Sequence, residues 1–90
     1  MSITKGKDGE TQKKIDRIRS NPRNVSGEDI ISVLLSLGYV EQGGSGSHRC
    51  FRHPQLPGGM LTIPRKIFTK VVKKVLVSID LLMELNEDDI

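Results

Sequence analysis

The fold is decided by one stretch, residues 39–63, which reads YVEQGGSGSHRCFRHPQLPGGMLTI. Three short runs in it are typical of β-strands, and they cover residues 39–42, 48–53 and 60–63. Between them lie two turns rich in residues that tolerate tight turn geometry, Gly and Ser in the first, Pro and Gly in the second. Short turns joining consecutive strands predict an antiparallel meander of three strands.

A helix is predicted immediately before the strands. Ser26 can act as its N-cap, with Asp29 three residues later in the first turn. Gly38 stands where a left-handed C-cap residue is expected. The apolar residues between these ends follow helical spacing, and they are Ile30, Ile31, Leu34, Leu35 and Leu37.

The two ends of the chain are less regular. Residues 1–10 are polar and are predicted to be a disordered tail, and residues 11–20 to be a short charged helix. Residues 65–77 fit either an extended basic loop or the start of a helix. Ser78 is then expected to cap a last helix. Residues 11–90 form one domain in this interpretation, an α+β fold of order ααβββα with helices packed on one face of the sheet.

Charge is distributed unevenly along the chain. Its net charge is only +3, but residues 42–78 contain no Asp or Glu and many Lys and Arg. Clustered basic charge attracts phosphate backbones, although a solvated face is the usual reason for a single surface lysine. The chain has a single cysteine, Cys50, which fits a reducing compartment. It also has no run of about 20 apolar residues, and its N-terminus is polar. Together these features predict a cytoplasmic protein without a membrane segment.

His48 lies inside this basic stretch, after the glycine-rich turn. Histidine is the only residue type whose unperturbed pKa, about 6.5, allows proton uptake and release near neutral pH. His53 is expected to form hydrogen bonds that shape the turn before Pro54. The two histidines do not suggest a zinc site, because a closed site needs about four ligands. No metal and no cofactor are therefore expected.

Five segments together resemble the HicA family of toxins, also called YcfA-like mRNA interferases. They are Val25–Ile31, Leu37–Tyr39, Gly46–His48, Phe51–Pro54 and Leu61–Pro64. No single segment is specific, but their order and spacing are. The chain departs from commoner relatives in its residues 1–24 and in Arg65–Phe68, where many relatives have a His and a Gly-containing loop.

The resemblance implies a fold like that of double-stranded-RNA-binding domains. It also implies a toxin that cleaves mRNA, with His48 as the functional histidine. RNA carries its own nucleophile in the 2′-hydroxyl, so this cleavage needs no metal ion and a histidine can serve as its general acid or base. The expected partners are the mRNA substrate and a HicB-like antitoxin that covers the basic surface, with no membrane and no DNA by itself. The residues expected to contact RNA are Gly46, Ser47, Arg52, Arg65, Lys66, Lys70, Lys73 and Lys74.

Two other functions fit the same residues. The chain could be a non-catalytic RNA-binding module of this fold. It could also be a protein-interaction adaptor, since residues 78–90 are apolar on one helix face and acidic on the other. Cleavage of RNA that is lost in His48→Ala would separate the enzyme from both.

Overall fold

The computed structural model describes residues 2–45, 48–56 and 59–88. Within these ranges the elements are α1 (Ser2–Ser20), α2 (Gly27–Ser36), β1 (Val40–Ser45), β2 (His48–Arg52), β3 (Met60–Ile63) and α3 (Thr69–Asp88). Their order confirms the predicted ααβββα fold. In the part of the chain so described, no helix is both long and apolar enough to cross a membrane.

The sheet is the predicted antiparallel meander, with strand order β1-β2-β3. Arg52 pairs with Val40 on one side and with Met60 on the other, so β2 is the central strand. The β1–β2 register shifts between Glu41 and Gly44, where Gly43 adopts a φ of +51°. Strand β1 therefore continues to Ser45 instead of ending at Gln42, because this irregularity interrupts the pairing without ending it.

The helices cover one face of the sheet and leave the other face open. Phe51 and Ile63 point into the helix layer and are buried, whereas the alternate side chains of β2 are more exposed. The core joins residues from all three helices to these strand residues. Its buried apolar members are Ile15, Ile18, Ile30, Val33, Leu34, Tyr39, Phe51, Ile63, Val72, Val75, Ile79 and Leu82.

Helix α2 has both predicted ends. The Ser26 hydroxyl accepts a hydrogen bond from the Asp29 backbone N–H at 3.2 Å. Gly38 has a φ of +96°, a conformation that glycine adopts without steric cost. Its N–H donates to the Leu35 carbonyl, which satisfies one of the free carbonyls at the helix end.

Helix α1 is longer than the sequence predicted. It begins at Ser2, so the backbone of residues 2–10 is helical where a disordered tail was expected. Ile15 and Ile18 anchor it in the core, and the Arg19 guanidinium forms an ion pair with Asp80 of α3. These contacts fix the second half of the helix, and the residues before it continue its backbone hydrogen bonding without a further nucleation step.

The prediction that Ser78 caps the last helix was wrong. Helix α3 begins at Thr69, so Ser78 lies inside the helix. Of the two alternatives for residues 65–77, a basic loop or the start of a helix, the helix is correct for residues 69–77. The Phe68 carbonyl accepts hydrogen bonds from Val71 and Val72 in the first turn. The burial of Val72 and Val75 against the core outweighs the weak helix preference of valine.

Candidate nucleic-acid interface

The open face of the sheet carries His48, the residue that the sequence predicts to be catalytic. It is the first residue of β2, pairs with Ser45 of β1 and is exposed. Since Phe51 points into the helix layer, alternation along β2 places His48, Cys50 and Arg52 on the opposite, open face. The Cys50 sulfur lies 3.8 Å from the Thr62 hydroxyl of β3, which confirms that these two side chains share that face.

Arg52 shares the face of His48, as predicted. It is exposed and lies four residues further along β2, about 13 Å away at the usual rise per strand residue. At this separation Arg52 is placed to contact a bound polyanion further along its chain than His48 does.

Arg49 points to the other face, also as predicted. Its guanidinium donates to both carboxylate oxygens of Glu41, at 2.6 and 2.7 Å, and lies 5.6 Å from the centre of the Phe51 ring. These hydrogen bonds lower the pKa of the Glu41 carboxyl below its ordinary value and raise the pKa of Arg49 above its own. Arg49 is thus paired with Glu41 within the protein. The sequence around Arg49 gave no signal of this ion pair.

Arg65 and Lys66 follow β3 at the His48 end of the sheet. Ile63 pairs with Arg49, so the chain after Ile63 leaves the sheet beside the start of β2. Arg65 is exposed and lines a cavity of about 560 Å³ together with Arg49, Glu28 and Pro64. The Lys66 ammonium lies 5.7 Å from the centre of the Phe68 ring.

The other three predicted contacts lie on α3, in the helix layer. Lys70, Lys73 and Lys74 are exposed. Lys73 and Lys74 line a groove between α3 and the edge strand β3, where their neighbours include Leu81 and Met60. The structure therefore separates these lysines from the face of His48. Gly46 and Ser47 lie outside the described residues.

His53 has the structural role that the sequence predicted. It is buried, its Nδ1 accepts from the Gln55 N–H at 3.1 Å, and its Nε2 donates to the Leu37 carbonyl at 2.9 Å. Both ring nitrogens are thereby used, with the proton on Nε2. Its ring meets the Tyr39 ring edge-on, with centroids 4.9 Å apart. His53 ties the end of β2 to the end of α2.

Tyr39 extends this connection to α3. Its hydroxyl lies 2.7 Å from the Ser78 hydroxyl, and burial raises the pKa of the phenol, while the Ser78 hydrogen bond acts in the opposite direction. Ser78, misread as a cap, is a partner of the only tyrosine in the chain. Tyr39 and His53 thus connect the end of β2 to α2 and α3, at the opposite end of the strand from His48.

A three-stranded antiparallel sheet with helices on one face and an exposed histidine on the other defines a small α+β domain. Residues 27–80 match the family profile described as the HicA toxin of bacterial toxin-antitoxin. The chain belongs to the HicA toxin family. No curated protein and no solved structure matches it. The matched range contains α2, the whole sheet and most of α3, and helix α1 lies outside it.

Proposed function

We propose that this toxin is an endoribonuclease that cleaves mRNA, with His48 as a general acid or base. The observation that carries the proposal is the position of His48, exposed at the start of the central strand on the face that the helices leave open. A single-stranded polyanion can approach this face without displacing any element of the fold. Membership of a toxin family supports a damaging activity on a cellular polymer.

The chemistry needs little from the protein, because RNA contains its own nucleophile. The 2′-hydroxyl attacks the adjacent phosphorus, the bond to the 5′-oxygen breaks, and the products are a 2′,3′-cyclic phosphate and a 5′-hydroxyl. One proton leaves the 2′-oxygen and one is delivered to the 5′-oxygen. An imidazole that titrates near neutrality can serve either transfer, which contributes roughly 10²–10⁴-fold to the rate.

Cations are needed to hold the RNA and to balance the charge that develops on the phosphate. Arg52 on the open face, together with Arg65 and Lys66 at the His48 end of the sheet, is suited to this role by position. Gly46 and Ser47 remain predicted contacts beside His48. The α3 lysines, Lys70, Lys73 and Lys74, remain predicted contacts only for RNA that passes around the sheet edge.

The antitoxin partner that the family implies is proposed to inhibit the toxin by covering His48. Because Arg52 shares the face of His48 and Arg65 lies at the same end of the sheet as His48, the covering surface should carry carboxylates. A HicB-like protein is the expected partner, acting in the cytoplasm.

The test uses one RNA oligonucleotide and a DNA of the same sequence, each incubated with the purified protein in EDTA. We expect cleavage of the RNA to a cyclic phosphate, no cleavage of the DNA, and no cleavage by His48→Ala. Binding without cleavage by the wild-type protein would contradict the enzymatic proposal and favour an RNA-binding module. Cleavage of RNA by His48→Ala at the wild-type rate would remove His48 from the mechanism.

A further inference from the structure

Helix α3 exposes an apolar stripe that no described part of the chain covers. Val77, Leu81 and Leu85 stand at positions i, i+4 and i+8, and each has about half of its surface exposed. They form one wall of a groove of about 720 Å³, and Leu56 and Met60 contribute to the opposite side. Contiguous exposed apolar surface of this kind marks an interaction site in a soluble domain.

The stripe is separate from the buried face of the same helix. Val72, Val75, Ile79 and Leu82 pack in the core on the other side of α3. Helix α3 is thus apolar on two faces, and one domain can bury only one of them. The second face is therefore available to another molecule.

The charges along the groove identify its occupant. Lys73 and Lys74 stand at one end and Glu84 at the other. Lys74 and Glu84 are ten residues apart, about 15 Å along the helix, and their midpoint falls between Val77 and Leu81. Val77 and Leu81 therefore lie between a basic end and an acidic end, and Leu85 follows directly after Glu84.

We propose that this face binds a second copy of the chain, with the two α3 helices packed antiparallel about a two-fold axis between Val77 and Leu81. Reversing the helix brings Lys74 of each copy opposite Glu84 of the other, at both ends, and Val77 of each copy opposite Leu81 of the other. Leu85 then faces Lys73, whose methylene chain can pack against it. A pattern that matches itself on reversal is what a two-fold symmetric interface requires.

The neighbouring strand fits the same arrangement. Strand β3 is at the edge of the described sheet, so one side of its backbone has no strand partner there. Unpaired strand edges are commonly covered by a helix or by another chain. A second α3 lying in the groove would cover this edge. Met60, where the groove reaches the sheet, pairs with Arg52 at the far end of β2 from His48. His48 therefore stays accessible, and the proposal does not depend on RNA cleavage.

The first experiment measures the molar mass of the purified chain by sedimentation equilibrium, over about 10–500 µM, the range in which a small interface associates. We expect the mass to rise from 10.0 kDa toward twice that value. Leu81→Glu should hold the chain at the monomer mass. Leu35→Glu on α2 is the matched control, because both leucines are 51% exposed, and it should associate as the wild type does.

A charge exchange tests the two-fold geometry directly. Glu84→Lys places lysines opposite each other at both ends of the interface, and the double variant Lys73→Glu/Lys74→Glu places carboxylates opposite each other there. Each of these two variants, measured by itself, should self-associate at least tenfold more weakly than the wild type. Mixing the two variants creates opposite charges at both ends, and a 1:1 complex should form.

Each alternative outcome overturns the proposal. A wild-type chain that stays monomeric throughout refutes a second copy as the occupant of the groove. A dimer that survives Leu81→Glu uses another surface. Failure of the mixed charge variants to associate, with circular dichroism showing both folded, excludes the antiparallel arrangement.

Discussion

Replacing Ile15 by alanine tests whether helix α1 is part of the domain. Ile15 lies on α1, outside the range of the family match, and its exposed fraction is 0%. The substitution removes three carbon atoms from the core. At about 0.8 kcal/mol for each buried methylene this costs about 2.4 kcal/mol. The cavity left behind adds to this cost, so we expect a loss of about 3 kcal/mol in the free energy of unfolding.

Urea unfolding followed by circular dichroism measures this loss. With a slope of about 1.5 kcal/mol per M, the midpoint of Ile15→Ala should fall by about 2 M. Lys13→Ala is the control on the same helix, since Lys13 is exposed, and its free energy of unfolding should change by no more than about 0.5 kcal/mol. An Ile15→Ala protein as stable as this control would show that α1 does not pack on the domain, and it would refute the reasoning.

Three further predictions concern Tyr39, His53 and Arg52. The single tyrosine, Tyr39, should ionise at a higher pH in the folded chain than the value of about 10 expected after unfolding in urea, as measured by phenolate absorbance. Because burial raises its folded pKa, its contribution to stability is complete below about pH 10 and is lost as the pH rises through the folded pKa. An equal midpoint in both states would contradict the burial of its ring. His53→Ala should lower the free energy of unfolding by about 1–3 kcal/mol, because the Leu37 carbonyl and the Gln55 N–H lose their partner, while RNA cleavage per folded molecule is retained. A loss of cleavage at full stability would instead make His53 part of the site. Arg52→Ala should reduce the slope of log affinity for RNA against log salt by about one, and Arg49→Ala on the opposite face should leave it unchanged. Equal slopes for both variants would show that RNA does not follow the open face.

The sheet and helix α2 were predictable because their signals are local. Gly-, Ser- and Pro-rich stretches separate the three strands, although β1 runs three residues further than they predicted, and Ser26 and Gly38 mark the ends of α2. Alternation along β2 then separated Arg49 from Arg52 correctly, since neighbouring residues of a strand point to opposite faces. The hydrogen-bonding role of His53 followed from its place before Pro54.

Helix α3 was misread because its apolar residues serve two faces. Val72 and Val75 belong to the core, whereas Val77 and Leu81 belong to the exposed stripe, and together they obscure the helical period. The position of Lys73 and Lys74 in a groove beside β3 depends on how α3 packs, which a single sequence does not specify. The pair of Glu41 with Arg49 likewise depends on the register between β1 and β2. Local patterns thus predicted the elements and their faces, and tertiary packing decided which cations share a surface with His48.

The rate of RNA cleavage under single-turnover conditions, compared between wild type and His48→Ala, tests the central claim most directly. We predict that the substitution lowers this rate by 10²–10⁴-fold, while RNA affinity and the free energy of unfolding stay close to wild type. A reduction of less than about threefold, with both proteins folded and bound to RNA, would contradict the assignment of His48 as the proton-transfer group.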